Sequence, residues 1–414
     1  MMRKKLLVYA HYFYPDVAST GQILTELCEG LQNDFDITVI CVVPSYNGKV
    51  DKQYRKKRLF KEKYQNINVI RVRVPEFDKR NKLSRIKNIL SYFFNAIYAT
   101  FKAGKQDVIF GISQPPILGG LLGAIGKFIK RAKFIYNIQD FNPEQTEAIG
   151  YTKNKFILNI AKALDKNSCK RANTVVVVGR DMVETLNKRF KGKNVPKCVV
   201  INNWIDNSKV YPLESNHPKV SEFKRKYNLE DKFVFMYSGN IGLYYDLENI
   251  IKIIGKFKNR NDIIFAFVGD GSVKQKLIDY VIKNQLKNVK FIPYQKKEDL
   301  IYSLNAADVH IVTNAKGIKG ISVPSKVYGV MATGKTILGV LEKGSEARIL
   351  IEDNKCGICC KPEDYKSIEA VISSIIENKQ AYAEIGLGAV YAASDIYSRD
   401  KSADKYKKLI NELM

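Results

Sequence analysis

Residues 233–269 read FVFMYSGNIGLYYDLENIIKIIGKFKNRNDIIFAFVG and contain the repeating unit of the fold. Two short apolar runs, 233–239 and 263–269, are rich in β-branched and aromatic residues, and each ends in glycine. Between them, residues 246–257 repeat apolar side chains three and four positions apart, which is the spacing of an amphipathic helix. A strand, a helix and a second strand in this order predict two parallel strands joined by a crossover helix.

The same alternation extends in both directions along the chain and predicts parallel sheets throughout. Further strands are expected at 6–10, 37–43, 107–113, 133–140, 174–179, 289–293, 309–313, 336–340 and 357–360. Because 414 residues exceed one ordinary hydrophobic core, we predict two doubly wound α/β domains, 1–205 and 206–389, with a helix at about 390–414 packing back on the first. Ligands in such sheets bind beyond the carboxyl ends of the strands, so we expect the site in the cleft between the domains.

The charge balance is the outlier of the composition. The net charge is +26 and the isoelectric point is near 9.5. Such an excess attracts nucleic acid, anionic lipid or phosphorylated substrates, and charge alone does not choose among them. Eight basic residues and two acidic ones lie within residues 49–63, KVDKQYRKKRLFKEK.

A second basic stretch, residues 79–101, joins five basic residues to a run of apolar and aromatic ones. This is the pattern of an interfacial membrane helix, in which Ile89, Phe93, Ile97 and Phe101 would insert into lipid. An ordinary packed helix with a solvated end has the same pattern and stays open. Nucleic-acid binding is disfavoured because no recognised motif or stacking platform accompanies the charge. The basic residues are Lys79, Arg80, Lys82, Arg85 and Lys87.

The cysteines and the apolar runs bear on the cellular compartment. Three of the seven cysteines lie in CGICC (356–360) without a second CxxC or a His pair at zinc-ligand spacing, so we expect reduced, buried thiols. The opening MMRKKLLVYA runs directly into a strand, and no apolar run reaches the roughly 18 to 20 residues that span a bilayer. We therefore expect a cytoplasmic protein without a signal peptide.

Residues 321–334, ISVPSKVYGVMATG, are the most informative stretch for chemistry. Ser325 and Lys326 stand just ahead of a short apolar helix that ends at Gly334. Free backbone N–H groups and the helix dipole favour anions at such a position, and lysine adds a point charge for phosphate oxygens. A capped core helix with an exposed lysine is the alternative.

Two glycine-containing turns predict contacts with a phosphorylated ligand. YSGNIG (237–242) places Gly239 and Gly242 at a strand-to-helix turn, where a diphosphate can approach the backbone. In the loop after the first strand, Ser19 and Thr20 precede Gly21 at the start of a helix. The second signal is weak by itself because it is not a GxGxxG pattern.

In their order along the chain these motifs resemble glycosyltransferase family 4, especially its bacterial capsule and O-antigen branch, which includes N-acetylfucosaminyl transferases. The pattern Pro-Ser-Lys-x-Tyr-Gly-x-Met-Ala-x-Gly recurs at 324–334, and YPDVASTGQILTEL (14–27) and INNWIDNSKVYPL (201–213) resemble the family's first loop and interdomain segment. The resemblance implies the GT-B architecture of two Rossmann-like domains. It also implies retaining transfer of a sugar, such as an N-acetylhexosamine, from a UDP-sugar to a lipid-linked saccharide at the inner face of the cell membrane, without a cofactor or an essential metal.

The donor side departs from the family pattern at several positions. Asn240 and Tyr245 stand where the family has Arg and Lys, so the positive charge at the diphosphate must come chiefly from Lys326, assisted by backbone N–H groups of residues 239–242.

Two further donor residues follow from the resemblance. The family's two glutamates would fall on Ile321 and Gly329, so Glu346 becomes the candidate for the ribose, with helix capping as the alternative. Tyr294 is placed near the nucleotide base.

The catalytic candidates follow the strand at 133–140, in NIQDFNPEQTEAIG (137–150). Asp140 and Glu144 are ionisable groups that could orient or deprotonate an acceptor hydroxyl. Gln139 replaces the His of many family members, so a His-based role cannot be carried over. Asp140 could instead cap the following helix.

Two rival functions remain open. A nucleotide-sugar 2-epimerase would use the same architecture without needing a basic amphipathic face. A non-catalytic Rossmann-like protein that binds polyanions or membranes would explain the missing Arg and Glu pair.

Overall fold

The computed structural model describes residues 3–16, 19–78, 81–150 and 154–413. The chain forms two compact units, residues 1–202 together with 402–414, and residues 203–401. Each unit is built on its own sheet with helices between the strands. Every strand expected from the sequence is present, so the doubly wound α/β architecture is confirmed.

The first unit contains an eight-stranded sheet. Its strands are β1 Lys4–Tyr9, β2 Phe35–Val42, β3 Leu59–Tyr64, β4 Ile67–Val72, β5 Val108–Ile112, β6 Lys133–Ile138, β7 Thr174–Val177 and β8 Cys198–Val200. The order across the sheet is β3-β4-β2-β1-β5-β6-β7-β8, and all neighbours are parallel except β3 and β4. The central strands are almost fully buried, as expected for strands with helices on both faces.

The helices of this unit lie on both faces of the sheet. They are α1 Ser19–Leu31, α2 Lys82–Lys102, α3 Leu118–Lys130, α4 Asn142–Ala148, α5 Lys155–Arg171 and α6 Arg180–Phe190. Because crossovers between parallel strands are right-handed, the direction in which a helix crosses the sheet decides the face on which it lies. The helices α2, α3 and α5 cross towards β7 and lie on one face. The helix α1 crosses in the opposite direction, from β1 to β2, and lies on the other face. Contacts agree, since α3 packs against both α2 and α5.

The hairpin of β3 and β4 and the short strand β8 were not expected. Residues 59–63 lie in the basic stretch 49–63, for which no strand was predicted. In the structure Lys61 and Lys63 of β3 are exposed, and β3 is an edge strand paired on one side only. Charged side chains suit that position because they discourage edge-to-edge association.

The second unit contains a six-stranded parallel sheet. Its strands are β9 Phe233–Ser238, β10 Ile263–Val268, β11 Val289–Ile292, β12 Val309–Thr313, β13 Thr336–Val340 and β14 Gly357–Cys360, in the order β11-β10-β9-β12-β13-β14. Its helices are α7 Pro218–Lys226, α8 Leu247–Ile254, α9 Lys274–Lys283, α10 Leu300–Asn305, α11 Lys326–Ala332, α12 Glu346–Asp353, α13 Tyr365–Glu377, α14 Lys379–Ile385 and α15 Val390–Asp395. Apolar clusters fill both faces of the sheet, so its loops at the carboxyl edge stand on a rigid base.

The last helix, α16 Arg399–Glu412, returns the chain to the first unit. Ala403 packs against Gly30 of α1, and Lys407 forms an ion pair with Asp34. These contacts place α16 on the same face of the first sheet as α1, opposite α2, α3 and α5.

Candidate functional site

The loops after β9 and β10 pack together at the carboxyl edge of the second sheet. Gly239 and Gly269 both have positive φ angles, +134° and +137°, which favour glycine. A Cβ on Gly269 would lie 2.0 Å from the carbonyl oxygen of Gly239, so no side chain fits there. The result is a bare backbone surface at the ends of two adjacent strands.

Lys326 reaches this surface from the first turn of α11. Its Nζ lies 3.6 Å from the ring centroid of Tyr237 and 4.3 Å from that of Tyr245. A Cβ on Gly239 would stand 3.5 Å from the same Nζ. The structure therefore brings together Lys326 and the glycine turn, two elements that the sequence places 87 residues apart.

The ammonium of Lys326 has no anionic partner in the described part of the chain. Although the residue as a whole is half-buried, Nζ itself is inaccessible to solvent, and no described residue hydrogen-bonds it. Burial lowers the pKa of Lys326 well below its usual value. Buried charges are normally paired, so an unpaired cation over two aromatic rings needs an external anion to be stable in its charged form.

Backbone groups beside Lys326 are only partly available. The N–H of Gly239 donates to Val268 O at 2.9 Å, and the N–H of Ile241 donates to Asp270 O at 2.8 Å. Among the described residues, those of Asn240 and Gly242 meet no acceptor. At most two of the four N–H groups expected from the sequence can therefore serve a ligand without rearrangement.

Lys274 is a second cation at the turn that sequence reasoning missed. Its Nζ donates to the carbonyl oxygen of Gly269 at 2.8 Å from the first turn of α9. Lys274 follows the DGS turn (270–272), and no recognised phosphate-binding motif accompanies it, so the sequence alone could not identify it. Its contact keeps positive charge beside the glycine surface.

The other predicted donor residues of the second unit follow other strands of the same sheet and differ in exposure. Ser325 is exposed, and its side chain makes no capping hydrogen bond at the start of α11. Glu346 is the first residue of α12, after β13, and only 1% of it is exposed. Tyr294 follows β11, two strands away from β9, and is largely exposed. The structure thus places all three at the carboxyl edge of the second sheet, with Lys326 nearest its centre.

The first unit carries the remaining donor candidates at the start of α1. A Cβ on Gly21 would lie 2.9 Å from the carbonyl oxygen of Tyr12, so glycine lets α1 begin directly against the loop that follows β1. Thr20 is half-buried in the first turn. Ser19 begins the helix, and its side chain lies outside the described residues.

Asp140 lies two residues beyond β6, at the carboxyl edge of the first sheet. The hydroxyl of Ser113, which follows the neighbouring strand β5, accepts hydrogen bonds from the backbone N–H groups of Gln139 and Asp140. The following helix α4 begins at Asn142, and Phe141 holds its N-cap position. The role of Asp140 in catalysis stays a prediction.

Glu144 is held by a buried arginine. Arg189 of α6 binds both carboxylate oxygens of Glu144, at 3.0 and 2.6 Å, and binds Asp165 of α5 at 2.6 Å. Tyr136 donates its hydroxyl to the other oxygen of Asp165 at 2.5 Å. The two carboxylates raise the pKa of Arg189 despite its burial, so it stays charged. This cluster fixes α4, and with it the segment that carries Asp140.

A second buried chain of hydrogen bonds supports the same segment from α16. The amide of Gln139 donates to Asn137 Oδ1 at 2.7 Å, and the amide of Asn137 donates to the hydroxyl of Tyr406 at 2.7 Å. Gln139 is buried, so at the position of the family's histidine this chain has a structural link.

His11 is a polar residue of the first unit that is not among the site residues predicted from the sequence. It lies two residues after β1, with its ring centroid 4.3 Å from that of Tyr12 and 4.9 Å from that of Tyr92. Its Nε2 is buried and has no partner among the described residues, and burial lowers the pKa of His11 to about 4. A neutral imidazole therefore stands at the carboxyl edge, where a catalytic or binding group is expected.

The described residues bear on metal binding and on membrane crossing. Nowhere in residues 3–16, 19–78, 81–150 and 154–413 do three or more His, Cys, Asp or Glu side chains group as metal ligands would. The expectation that no metal is essential stays a prediction. Within the same ranges, none of the helices combines the length and the apolar character needed to cross a membrane.

Two family profiles match consecutive parts of the chain. The profile described as Glycosyltransferase Family 4 matches residues 20–209. The profile described as Glycosyl transferases group 1 matches residues 219–389. The first match lies almost entirely within the first unit, and the second lies within the second unit.

Two curated bacterial proteins are similar to most of the chain. WbjE of Pseudomonas aeruginosa, named as a glycosyltransferase, is 28% identical over 309 residues, which are 73% of this chain and 74% of WbjE. WcaI of Escherichia coli K12, named as a colanic acid biosynthesis glycosyl transferase, is 24% identical over 381 residues, which are 90% of this chain and 91% of WcaI.

Solved glycosyltransferase structures share the fold. Sucrose-phosphate synthase from Thermosynechococcus elongatus has a TM-score of 0.78 at 13% identity, over 99% of both chains. HepE of Anabaena, in complex with UDP and glucose, has a TM-score of 0.71 at 15% identity, over 99% of this chain and 100% of HepE. WaaG, a glycosyltransferase involved in lipopolysaccharide biosynthesis, has a TM-score of 0.67 at 12% identity, over 97% of this chain and 99% of WaaG. The GT-B fold expected from the sequence is confirmed.

Proposed function

Because the chain belongs to glycosyltransferase family 4, we propose that it moves a sugar from a UDP-sugar to a lipid-linked saccharide, with retention of anomeric configuration, in the synthesis of a bacterial surface polysaccharide. The observation that carries the proposal is the unpaired, buried ammonium of Lys326 beside the backbone of Gly239. A nucleotide diphosphate supplies the anion that this ammonium lacks. HepE in complex with UDP and glucose, and the name of WcaI, support the donor and the pathway class.

On the donor side, the reaction requires positive charge beside the diphosphate that leaves. When the bond between the anomeric carbon and the diphosphate oxygen breaks, the departing diphosphate gains negative charge, which Lys326 is placed to stabilise. The low polarity around its Nζ strengthens this interaction. The N–H groups of Asn240 and Gly242 add donors at the same turn, and Glu346 and Tyr294 are the proposed contacts for ribose and base. An N-acetylated hexosamine such as N-acetylfucosamine is the proposed sugar.

On the acceptor side, the two carboxylates have different roles. Glu144 is engaged at both oxygens by Arg189, so we assign it to positioning the segment. Asp140 precedes α4 and is half-buried at the carboxyl edge of the sheet, so we assign it to orienting or deprotonating the acceptor hydroxyl. Loss of that proton makes the hydroxyl oxygen the better nucleophile.

Replacing Asp140 by Asn is expected to lower turnover tenfold or more while UDP affinity stays near that of the wild type. General acid–base contributions are typically about 10²- to 10⁴-fold, and the donor is assigned to the second unit. Steady-state kinetics and calorimetry with UDP measure the two quantities. Glu147→Gln, which changes an exposed carboxylate of the short helix that follows Asp140, is the matched control. Full turnover in Asp140→Asn would remove this residue from catalysis.

The acceptor's lipid implies contact with a membrane, for which α2 is the first candidate. Its exposed apolar side chains are Leu83, Ile86, Leu90, Phe94, Tyr98 and Phe101. Of the side chains expected from the sequence to insert, Phe101 is exposed, whereas Ile89, Phe93 and Ile97 are half-buried. The outward stripe is therefore offset from the expected one, because the sheet takes up a different face of the helix.

The basic stretch 49–63 adjoins the same helix. Arg58 lies over the ring of Tyr98, at 4.1 Å from its centroid, and donates to the side chain of Asn95 at 2.7 Å. Lys79 and Arg80 lie outside the described residues. Anionic lipid attracts each nearby Lys or Arg by about 1 kcal/mol, so the stretch and α2 would act together on an anionic leaflet.

Replacing both Leu90 and Phe94 by Ser is expected to lower binding to anionic vesicles, because exposed apolar side chains supply the insertion free energy. Flotation with vesicles of phosphatidylglycerol and phosphatidylcholine in equal parts measures the bound fraction. Wild-type binding should require phosphatidylglycerol and fall with rising salt. A wild-type protein that stays unbound at low salt would contradict the membrane proposal.

The proposed donor is tested by thermal shift with a panel of nucleotides and nucleotide sugars. A ligand that binds only the native state raises the melting temperature, so UDP-sugars should raise it most. Measuring UDP release with and without a polyprenyl-diphosphate-linked saccharide then separates transfer from other chemistry. Conversion of the UDP-sugar to an epimer without any acceptor would favour the 2-epimerase instead.

A further inference from the structure

The outer side of the α2, α3 and α5 layer is the most apolar exposed face of the described structure. Eleven of the twenty large apolar side chains that are exposed in the described residues lie on these three helices. Six belong to α2, one is Phe128 of α3, and four belong to α5. Because the three helices form one layer on one face of the sheet, side chains that are exposed on them point to the same side of the unit.

The helix α5 contributes a ridge of its own. Phe156 is 73% exposed and Ile157 is 57% exposed, and Ile160 and Leu164 continue the ridge at helical spacing. The side chain of Asn154 accepts hydrogen bonds from the N–H groups of Phe156 and Ile157, so the helix is fixed at the point where its most exposed side chains begin. Nothing in the proposed reaction accounts for these four exposed side chains.

The middle helix lies close to the sheet because its inner face is rich in glycine. A Cβ on Gly123 would lie 2.2 Å from the ring of Phe134, and a Cβ on Gly120 would lie 2.7 Å from that of Tyr136. Helix α3 therefore packs tightly between α2 and α5, and its outward Phe128 continues the apolar face between them.

The charge of this layer is almost entirely positive. The sequences of α2, α3 and α5 contain eleven Lys or Arg residues and a single acidic residue, Asp165. Asp165 is buried and paired with Arg189, so it does not offset the positive charge of the surface. Apolar side chains on the same surface as basic ones match the interface of an anionic bilayer, which offers acyl chains and phosphates together.

We propose that the whole outer side of the α2, α3 and α5 layer lies on an anionic bilayer, with the α5 ridge, residues 156–164, as a second inserting element beside α2. This inference rests on the proposed membrane contact of α2 and extends it to a helix with a separate position in the chain. Nucleic acid would pair with the cations but leave the exposed Phe and Ile side chains in water, which disfavours it as the occupant.

The position of the ridge connects the membrane with the segment that carries Asp140, which is the candidate acceptor segment. Crossover helices run antiparallel to the strands they join, so α5 begins at the edge where β6 ends, which is the edge that carries Asp140. The ridge occupies the first half of α5, nearest that edge. A saccharide attached to a lipid in the bilayer would thus emerge next to the candidate acceptor segment.

The test uses the full chain and vesicles of phosphatidylglycerol and phosphatidylcholine in equal parts. Replacing Phe156 and Ile157 together by Ser is expected to weaken vesicle binding about tenfold, which is less than the full transfer of two such side chains would give. Ile282→Ser, at a similarly exposed position of the second unit, should bind as the wild type does. Thermal melts of each variant show whether it is folded.

A second variant reports insertion directly. In Phe156→Trp, the fluorescence of the new tryptophan should be quenched by brominated acyl chains. The wild type sets the baseline, because its single tryptophan, Trp204, is buried. If the α5 variant keeps wild-type binding and the new tryptophan is not quenched, the inference is overturned, although the α2 contact can stand. If the wild type does not bind vesicles at all, both membrane proposals fall, and transfer to a short-chain soluble acceptor still tests the enzyme.

Discussion

Replacing Lys326 by Ala is expected to weaken UDP binding by roughly 1.5–3 kcal/mol, or about ten- to a hundredfold, the range for hydrogen bonds to charged groups. Its Nζ is buried over Tyr237 and Tyr245, and no carboxylate in the described part of the chain neutralises it. Asn240 and Tyr245 occupy the positions of the family's other cations. Calorimetry with UDP measures the change in affinity.

The matched control for this variant is Lys335→Ala. Lys335 directly precedes β13, at the amino edge of the same sheet, so it is remote from the glycine turn and should leave UDP affinity unchanged. Unchanged affinity in a folded Lys326→Ala protein would remove Lys326 from the site.

The same residue gives an expected pH dependence. Because burial lowers the pKa of Lys326 in the folded state, the unfolded chain holds this proton over a range in which the folded chain has lost it. Stability from this group therefore rises with pH between the lowered pKa and the usual one. Lys326→Met should remove that rise and, since it replaces an unpaired buried charge, should not lower the melting temperature.

Binding of a diphosphate should reverse the shift in the pKa of Lys326. An anion beside Nζ favours the charged ammonium, so UDP binding should take up protons and weaken as pH rises through the lowered pKa. Calorimetry in buffers with different ionisation enthalpies measures this uptake. Equal proton uptake by wild type and Lys326→Met would contradict the assignment.

Replacing Arg189 by Met is expected to lower the free energy of unfolding by about 3–5 kcal/mol, the usual effect of removing one partner of a buried ion pair. Glu144 and Asp165 would both lose their counter-charge, and only the hydroxyl of Tyr136 would remain on Asp165. Denaturant unfolding measures the loss. Lys188→Met, on the adjacent and exposed position of the same helix, is the control and should change stability little.

The cluster also separates the two readings of Glu144. If Glu144 positions the acceptor segment, Glu144→Gln should lose stability along with any activity, because the amide cannot replace a carboxylate opposite Arg189. If Glu144 were the proton acceptor, turnover would collapse while stability stayed close to that of the wild type. Kinetics and denaturant unfolding on the same preparation distinguish these results.

The fold was predictable because its signals are local. Runs such as 233–239 and 263–269 contain enough β-branched and aromatic residues to mark buried strands, and their terminal glycines mark the turns. The place of Lys326 at a helix start near the site was predictable for the same reason. Parallel strands then bring such turns to one edge of the sheet, whatever their separation in sequence.

The rest depends on contacts between distant positions. Nothing in NIQDFNPEQTEAIG shows that Glu144 is bound by an arginine 45 residues away, so it was interpreted as a free carboxylate. Lys274 contacts Gly269 from a helix start that carries no recognisable motif. The rotation of α2 likewise depends on which of its faces the sheet covers, and periodicity alone did not fix it.

The most direct test of the proposed transfer is mass spectrometry of a polyprenyl-diphosphate-linked saccharide after incubation with the protein and UDP-sugars. One UDP-sugar should add a single sugar to the acceptor, with release of UDP, and Lys326→Ala should need much more donor to do so. An acceptor of unchanged mass with every UDP-sugar, from a folded protein in the presence of anionic vesicles, would contradict it.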